Sequence, residues 1–263
     1  MQPGRPRPHQ ARKRFGQHFL HDRNIINKIL LAIDPQPHDL LVEIGPGMGA
    51  ITLPLLERCR TLTAVELDRD VIPELQAAAK DKGDLHIIQA DALKTDFHAL
   101  APKGCKLRLV GNLPYNISTP LLFHCLEQMD VIADMHFMLQ KEVVQRMAAQ
   151  PGGKDYGRLT VMLAVRCRVE PLLSIGAGAF KPPPKVESAF VRLIPHAQAP
   201  FPLSDIARFK ALVNQAFSRR RKTLRNALLG LVDESAIRRA GLDPAARPET
   251  LSAADYACLA DGV

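Results

Sequence analysis

The chain has 263 residues, 46% hydrophobic and 24% charged, so it can bury a sizeable core and lacks the composition of a disordered protein. Its net charge of +8 points to a polyanionic partner, nucleic acid above all. Cys59, Cys105, Cys125, Cys167 and Cys258 are odd in number and form no CxxC, against a disulfide framework or a thiolate metal site, and neither a secretory h-region nor a ~20-residue apolar run occurs, which points to a cytoplasmic protein without a membrane span.

Residues 1–21 contain no acid and five cations, Arg5, Arg7, Arg12, Lys13 and Arg14, and read as a basic arm. Asp22 is placed to cap a helix over RNIINKILLAI. From residue 39 strand and helix patterns alternate. LLVEI (40–44), LTAVEL (62–67), LHIIQA (85–90), LRLV (107–110) and ADMHFMLQ (133–140) read as strands. ITLPLLERC, DRDVIPELQAAAK and TPLLFHCLEQM read as the helices between them, with Pro54 in a first turn or at a kink and Ser118 as a cap. Further on, YGRLTVMLAVRC has helical spacing, and CRVEPLLSI and SAFVRLIP read as strands. PHAQAPFP (195–202) reads as a linker, after which every pattern is helical. The expected architecture is an α/β, Rossmann-like sheet with helices on both faces over residues 1–198, followed by a small all-helical domain over 203–263.

VEIGPGMGA lies where the first strand of this alternation turns into a helix. Gly45, Gly47 and Gly49 let the backbone turn sharply and approach a ligand. The loop also satisfies G-x-G-x-x-A, so alone it does not choose between a dinucleotide and another adenosine-bearing cofactor. Glu66, 21 residues after Gly45, ends the next strand and can accept from two ribose hydroxyls. Glu43, just before the loop, would repel a pyrophosphate and attract a sulfonium or an α-amino group. That sign favours S-adenosylmethionine over NAD; the plainer alternative is an exposed strand-end carboxylate. Asp91 in QADAL follows the next strand. It can accept from an adenine amine or simply cap a helix.

GNLPYNIST (111–119) ends the fourth strand of the alternation, facing the same crevice. An adenine N6 amine is a poor nucleophile because its lone pair is delocalised into the ring. Two acceptors on its hydrogens, the Asn112 side-chain oxygen and the carbonyl of Leu113 or Pro114, would turn that lone pair toward a methyl donor. Tyr115 offers a ring on which a base can stack. An ordinary turn with a half-buried tyrosine is the competing reading.

KRFGQHFL, VEIGPGMG, VELDRD, QADAL, GNLPYNIST, MLQKEVVQRM, FKPPPKVESAFVRL and FSRRRKTLRNAL span essentially the whole chain. Together they resemble the class I S-adenosylmethionine-dependent methyltransferases and, more closely, the ribosomal RNA adenine N6-dimethyltransferases. The resemblance implies dimethylation of two adjacent adenosines in a hairpin loop near the 3′ end of 16S rRNA, within the small (30S) subunit. It implies cofactor contacts at His18, Leu20, Gly45, Glu66, Asp91 and Asn112. The family often has Asn where this chain has His18; a backbone contact would survive that change, and the choice between backbone and side chain stays open. It also implies that Phe180 faces the target base opposite Tyr115, although the residue itself reads equally well as a core anchor.

RRRKTLR (219–225) places Arg219, Arg220, Arg221, Lys222 and Arg225 within seven positions, and no acid occurs between Asp205 and Asp233. The run reads as a basic helix face holding RNA phosphates, with a merely solvated face as the alternative. Competing functions are an N6-adenine methyltransferase for large-subunit rRNA or DNA, a non-catalytic rRNA-binding assembly factor and, more remotely, a nicotinamide dehydrogenase. Nothing in the sequence signals a dimer, and the default is a monomer.

Overall fold

The structure, a computed structural model, describes residues 18–262; the five cations of the basic arm lie outside them. In chain order the elements are β1 (Phe19–Leu20), α1 (Arg23–Ile33), β2 (Leu40–Ile44), α2 (Thr52–Cys59), β3 (Thr61–Glu66), α3 (Ile72–Ala79), β4 (Asp84–Gln89), β5 (Leu107–Asn112), α4 (Ser118–Glu127) and β6 (Ile132–Gln140). They continue as α5 (Lys141–Met147), α6 (Arg158–Ala164), β7 (Cys167–Ile175), β8 (Phe180–Lys181), β9 (Ser188–Pro195), α7 (Ile206–Ser218), α8 (Leu224–Ala227), α9 (Glu234–Arg239) and α10 (Ala253–Asp261). Among the described residues no helix is long and apolar enough to cross a membrane.

The main sheet has seven strands in the order β4-β3-β2-β5-β6-β9-β7, and β1 pairs antiparallel with β8. The pairs β2–β3, β3–β4, β2–β5 and β5–β6 are all parallel. Strand order runs outward from β2 to β4 and then restarts on the other side of β2 with β5. Right-handed crossovers on opposite sides of that start put helices on both faces and open a crevice at the carboxyl ends of β2 and β5. Local chemistry agrees with the elements. Asp22 accepts from the N–H groups of Asn24 (2.8 Å) and Ile25 (3.2 Å) and caps α1. Pro54 sits in the first turn of α2, where its missing N–H costs nothing. Ser118 departs from expectation: it is the first residue of α4, and its hydroxyl donates to the Tyr115 carbonyl at 3.0 Å instead of capping the helix.

The chain divides into two compact units, one of residues up to 141 together with 172–192, the other of 142–171 together with 193 onward. Residues 142–171 therefore go with the C-terminal helices, not with the segment that the linker at 195–202 would delimit. The reason is tertiary. Helix α6 packs on α7 and α10, and the buried Tyr156 hydroxyl donates to the Leu251 carbonyl at 2.8 Å. Phe217 lies between Tyr156 and Tyr256, at ring centroid distances of 6.2 and 5.9 Å.

In the first unit Arg108 of β5 ties the base of the sheet together. Its guanidinium donates to Asp39, to Asp134 (3.0 Å) and to the Ile33 carbonyl (2.6 Å) at the end of α1. All three charged side chains are 18% exposed or less. Hydrogen bonds from Arg108, together with the buried His136 ring 3.5 Å away, hold Asp134 below the usual carboxylate range despite its burial. Arg108→Ala would strand two half-buried carboxylates and an α1 carbonyl. It should lower stability by about 3–5 kcal/mol in urea titration, whereas a solvent-screened pair would cost under about 1 kcal/mol.

Candidate active site

The carboxyl ends of β2, β3, β4 and β5 and the segment 18–20 enclose a cavity of about 240 Å³ within the first unit. Its wall contains His18, Leu20, Gly45, Gly47, Glu66, Asp91, Asn112, Leu113, Pro114 and Tyr115, ten of the residues singled out from the sequence. Neither lysine nor arginine lines it among the described residues.

The glycine loop follows β2. Gly45 has φ +67°, a left-handed conformation costly for any residue with a Cβ, and no atom lies within 4 Å of where that Cβ would stand. Its glycine serves the turn and leaves room for a ligand. Its N–H donates to the Val65 carbonyl (2.9 Å), tying the loop to β3. Glu66 strengthens this tie, accepting from the N–H of Gly47 (3.2 Å) and of Asp68 (2.8 Å). Burial still raises the Glu66 pKa, with these N–H groups opposing.

Glu43 is not an exposed strand-end acid. It is 2% exposed on β2, lines the cavity, and its Oε2 has no hydrogen-bond partner among the described residues. Burial pushes its pKa up to about 7, and the charge of Glu66 adds to the shift. Asp91 takes the capping role and also stands on the cavity wall. Its Oδ1 accepts from Leu93 N–H (3.0 Å) and caps a short 3-10 turn, while the carboxylate lines the cavity.

Asn112 ends β5. Its Nδ2 donates to the His18 carbonyl at 3.0 Å. A carbonyl can only accept, so this bond fixes which end of the amide is nitrogen and leaves Oδ1 as the acceptor. The Pro114 carbonyl already accepts from Ile117 N–H at 3.1 Å, which makes Leu113 the better second acceptor. Tyr115 is half-buried. Its hydroxyl is 2.8 Å from Ser188 Oγ, and the His18 ring stacks beside it with centroids 5.8 Å apart and planes 29° apart. The His18 imidazole also reaches the Pro182 carbonyl (Nδ1 to O, 2.8 Å).

Of the two readings open for Phe180, the structure agrees with the core anchor. It does not line the cavity; it is 2% exposed, pairs with Leu20 across β1 and β8, and belongs to the core with Ile29 and Phe190. The ring beside Tyr115 belongs to His18. Sequence reading missed Gly111, whose Cβ would fall 2.6 Å from the Ile44 carbonyl. That close approach of β5 to β2 brings the glycine loop and the Asn-Leu-Pro-Tyr turn together, and a lone glycine at a strand end was its only signal. The exposed Leu67 on the cavity wall was missed as well, being an ordinary apolar residue by composition.

In the second unit Arg219 to Lys222 lie on a turn between α7 and α8, not on a helix face, and Arg225 lies on α8: α7 ends at Ser218 and α8 begins at Leu224. Several of its cations have partners. Arg220 donates to the carbonyls of Gly153 (3.3 Å) and Lys154 (3.0 Å), Arg225 pairs with Glu234 (3.0 Å), and Arg219 reaches the Asn226 carbonyl (3.4 Å). Arg221 and Lys222 are exposed.

A doubly wound sheet with a nucleoside-sized cavity at its switch point, walled by acids and closed by an Asn-Leu-Pro-Tyr turn, defines a Rossmann-like methyltransferase fold. Solved structures agree. A dimethyladenosine transferase from Plasmodium falciparum is similar over 92% of this chain and 96% of its own, with a TM-score of 0.80 and 27% identity. The 23S rRNA methyltransferase ErmE is similar over 92% of this chain and 98% of its own, with a TM-score of 0.71 and 26% identity. Ribosomal RNA small subunit methyltransferase A of Nitrosococcus oceani is 56% identical over 95% of each chain. The sequence profile of ribosomal RNA adenine dimethylases matches residues 8–261, and the chain belongs to that family.

Glu43 gives the site a pH signature. With its pKa moved from the ordinary 4.5 to about 7, the folded protein keeps a proton that the unfolded chain releases in that window. Its contribution to stability is complete below about pH 4.5 and is lost as pH rises through about 7. In cofactor-free protein, the stability difference between Glu43→Gln and the parent should therefore move in favour of the variant by about 1–3 kcal/mol from about pH 5 to 8. Parallel pH–stability curves from denaturant titration would contradict this assignment.

Proposed function

We propose that this protein transfers methyl groups from S-adenosylmethionine to N6 of two adjacent adenosines in the 3′-terminal hairpin of 16S rRNA, giving N6,N6-dimethyladenosines in the small ribosomal subunit. The observation that carries the reading is the committed amide of Asn112. With its nitrogen held by the His18 carbonyl, only its oxygen is left to accept from an adenine amine, beside an aromatic ring.

The cavity fits the cofactor. A buried carboxylate with an orphaned oxygen, Glu43, suits a cationic methionine portion and would repel a pyrophosphate, and no lysine or arginine among the described residues lines the cavity to offset that repulsion. Glu66 would accept from the ribose hydroxyls. The remaining Asp91 oxygen would accept from the cofactor's own adenine, and the loop at Gly45 and Gly47 would pass close to the ligand. His18 and Leu20 would close the wall over it. When bound, S-adenosylmethionine supplies an electrophilic methyl group: an N–C bond forms at N6, the S–C bond breaks with its electron pair left on sulfur, and N6 sheds one proton. The protein's part is to orient. Asn112 Oδ1 and the Leu113 carbonyl draw on the two N6 hydrogens so that the lone pair points at the methyl, Pro114 stiffens the turn, and Tyr115 holds the ring. No general base is required, since the N–H proton is acidic once the nitrogen carries a fourth bond and a positive charge.

The same reading makes the enzyme a cytoplasmic monomer that recognises assembled small subunits. The 56% identity to a small-subunit enzyme supports that substrate over large-subunit rRNA. Labelled cofactor offered to unmethylated small subunits, large subunits and DNA, followed by mass analysis of the nucleosides, should give dimethyladenosine in the first alone. Transfer only to the others would refute the reading. Asn112→Ala should lower transfer by at least ~100-fold while cofactor affinity, measured by calorimetry, stays within a few-fold.

For the RNA surface, the free cations and the internally paired ones should separate. Arg221→Ala and Lys222→Ala should each flatten the slope of log affinity against log salt by about one unit. Arg220→Ala should mainly lower the stability of the second unit, because that guanidinium satisfies two carbonyls there. A slope unchanged in all three variants would remove this turn from the RNA contact.

A further inference from the structure

FKPPPKVESAFVRL contains a residue that the mechanism above does not use. Ser188 begins β9, is fully buried, and its Oγ lies 2.8 Å from the Tyr115 hydroxyl, 73 positions away in the chain. The residue before it is pinned to the start of α5, just past β6: Lys141 N–H donates to the Glu187 carbonyl (2.9 Å), and Lys141 Nζ pairs with the Glu187 carboxylate (2.7 Å). Tyr115 is therefore held at three places. Ser118 donates to its carbonyl, Ser188 meets its hydroxyl, and the His18 ring lies against one side. A stacking platform alone needs no such bond at its far tip.

The chemistry of two successive transfers gives the bond a use. An unmodified N6 amine has two hydrogens and can meet both acceptors, Asn112 Oδ1 and the Leu113 carbonyl. After the first transfer the amine has one hydrogen, so one of the two directing hydrogen bonds is gone. The base must then be oriented by the remaining bond and by the plane on which it stacks. We propose that Ser188 is a positioning residue that acts through Tyr115 and matters chiefly for the second methyl transfer: by fixing the tilt of the Tyr115 ring, it keeps a monomethylated adenine aligned with one hydrogen bond where the first step has two. This rests on the adenine-dimethylating reading of the site. The second step has the balance of the first: a new N–C bond, a broken S–C bond, and the last N6 proton released to solvent.

The test is the ratio of N6,N6-dimethyl- to N6-monomethyladenosine, measured by mass analysis over a time course on unmethylated small subunits. Ser188→Ala should lower the ratio of second-step to first-step rate constants roughly three- to ten-fold, the size that one hydrogen bond supplies, with cofactor affinity unchanged by calorimetry. Tyr115→Phe removes the same bond from its other end and keeps the ring, so it should shift the ratio the same way even if Ser188→Ala folds poorly. The double variant should be no worse in this ratio than either single one, since both remove one shared interaction. Equal slowing of both steps in Ser188→Ala and Tyr115→Phe would make the bond merely structural and overturn the proposal. A parent enzyme that makes no methylated adenosine on small subunits would overturn the functional reading itself.

Discussion

The hydrogen bond from Asn112 Nδ2 to the His18 carbonyl decides what the cavity can do. An asparagine amide has a donor end and an acceptor end, and a freely rotating one could meet an amine or a carbonyl equally well. Spending the donor on a backbone oxygen 94 positions away leaves one acceptor in the cavity wall. Everything around it serves the same geometry. Gly111 lets β5 come close enough to β2 for the turn to face the glycine loop, and the pairing of Leu20 with Phe180 secures the segment that presents the His18 carbonyl. His18 thus acts through its main chain on Asn112 and through its ring on Tyr115.

Charge distribution in the two units is opposite in sense. The first unit builds a cavity from buried acids, and burial raises the Glu43 pKa to about 7, a cost that a cationic ligand beside it would offset. The second unit carries exposed cations on a short turn, and some of them are committed to holding that turn's neighbours in place. A basic stretch is therefore not a uniform charged face. Arg220 and Arg225 contribute to the shape of the surface, while Arg221 and Lys222 present the charge.

Much of the fold was legible because its signals are local. Alternating apolar strands and amphipathic helices, the Asp22 cap and the Pro54 first turn lie within reach of a few residues, and β2 to β6 with the helices between them appear where their patterns put them. The site was legible for a related reason. In a parallel sheet the residues just after successive strands converge at one edge, so Gly45, Glu66, Asp91 and Asn112 could be brought together from strand positions alone. Phe180 escaped this logic. Whether an aromatic ring faces a cavity or the core depends on what packs across from it, and that partner is Leu20, distant in sequence. Ser118 escaped for a local reason: the chain entered α4 one residue earlier than its capping chemistry suggested.

By itself the sequence determined the succession of strands and helices, the glycine loop, the acids at strand ends and the basic net charge, because each is written in residue type and spacing. Only the tertiary structure decided which carboxylate is buried without a partner, which end of the Asn112 amide is free, which arginines are already engaged, and that residues 142–171 belong with the C-terminal helices. Those properties depend on atoms brought within 3 to 4 Å from segments tens of residues apart, and burial and hydrogen bonding act only at that range.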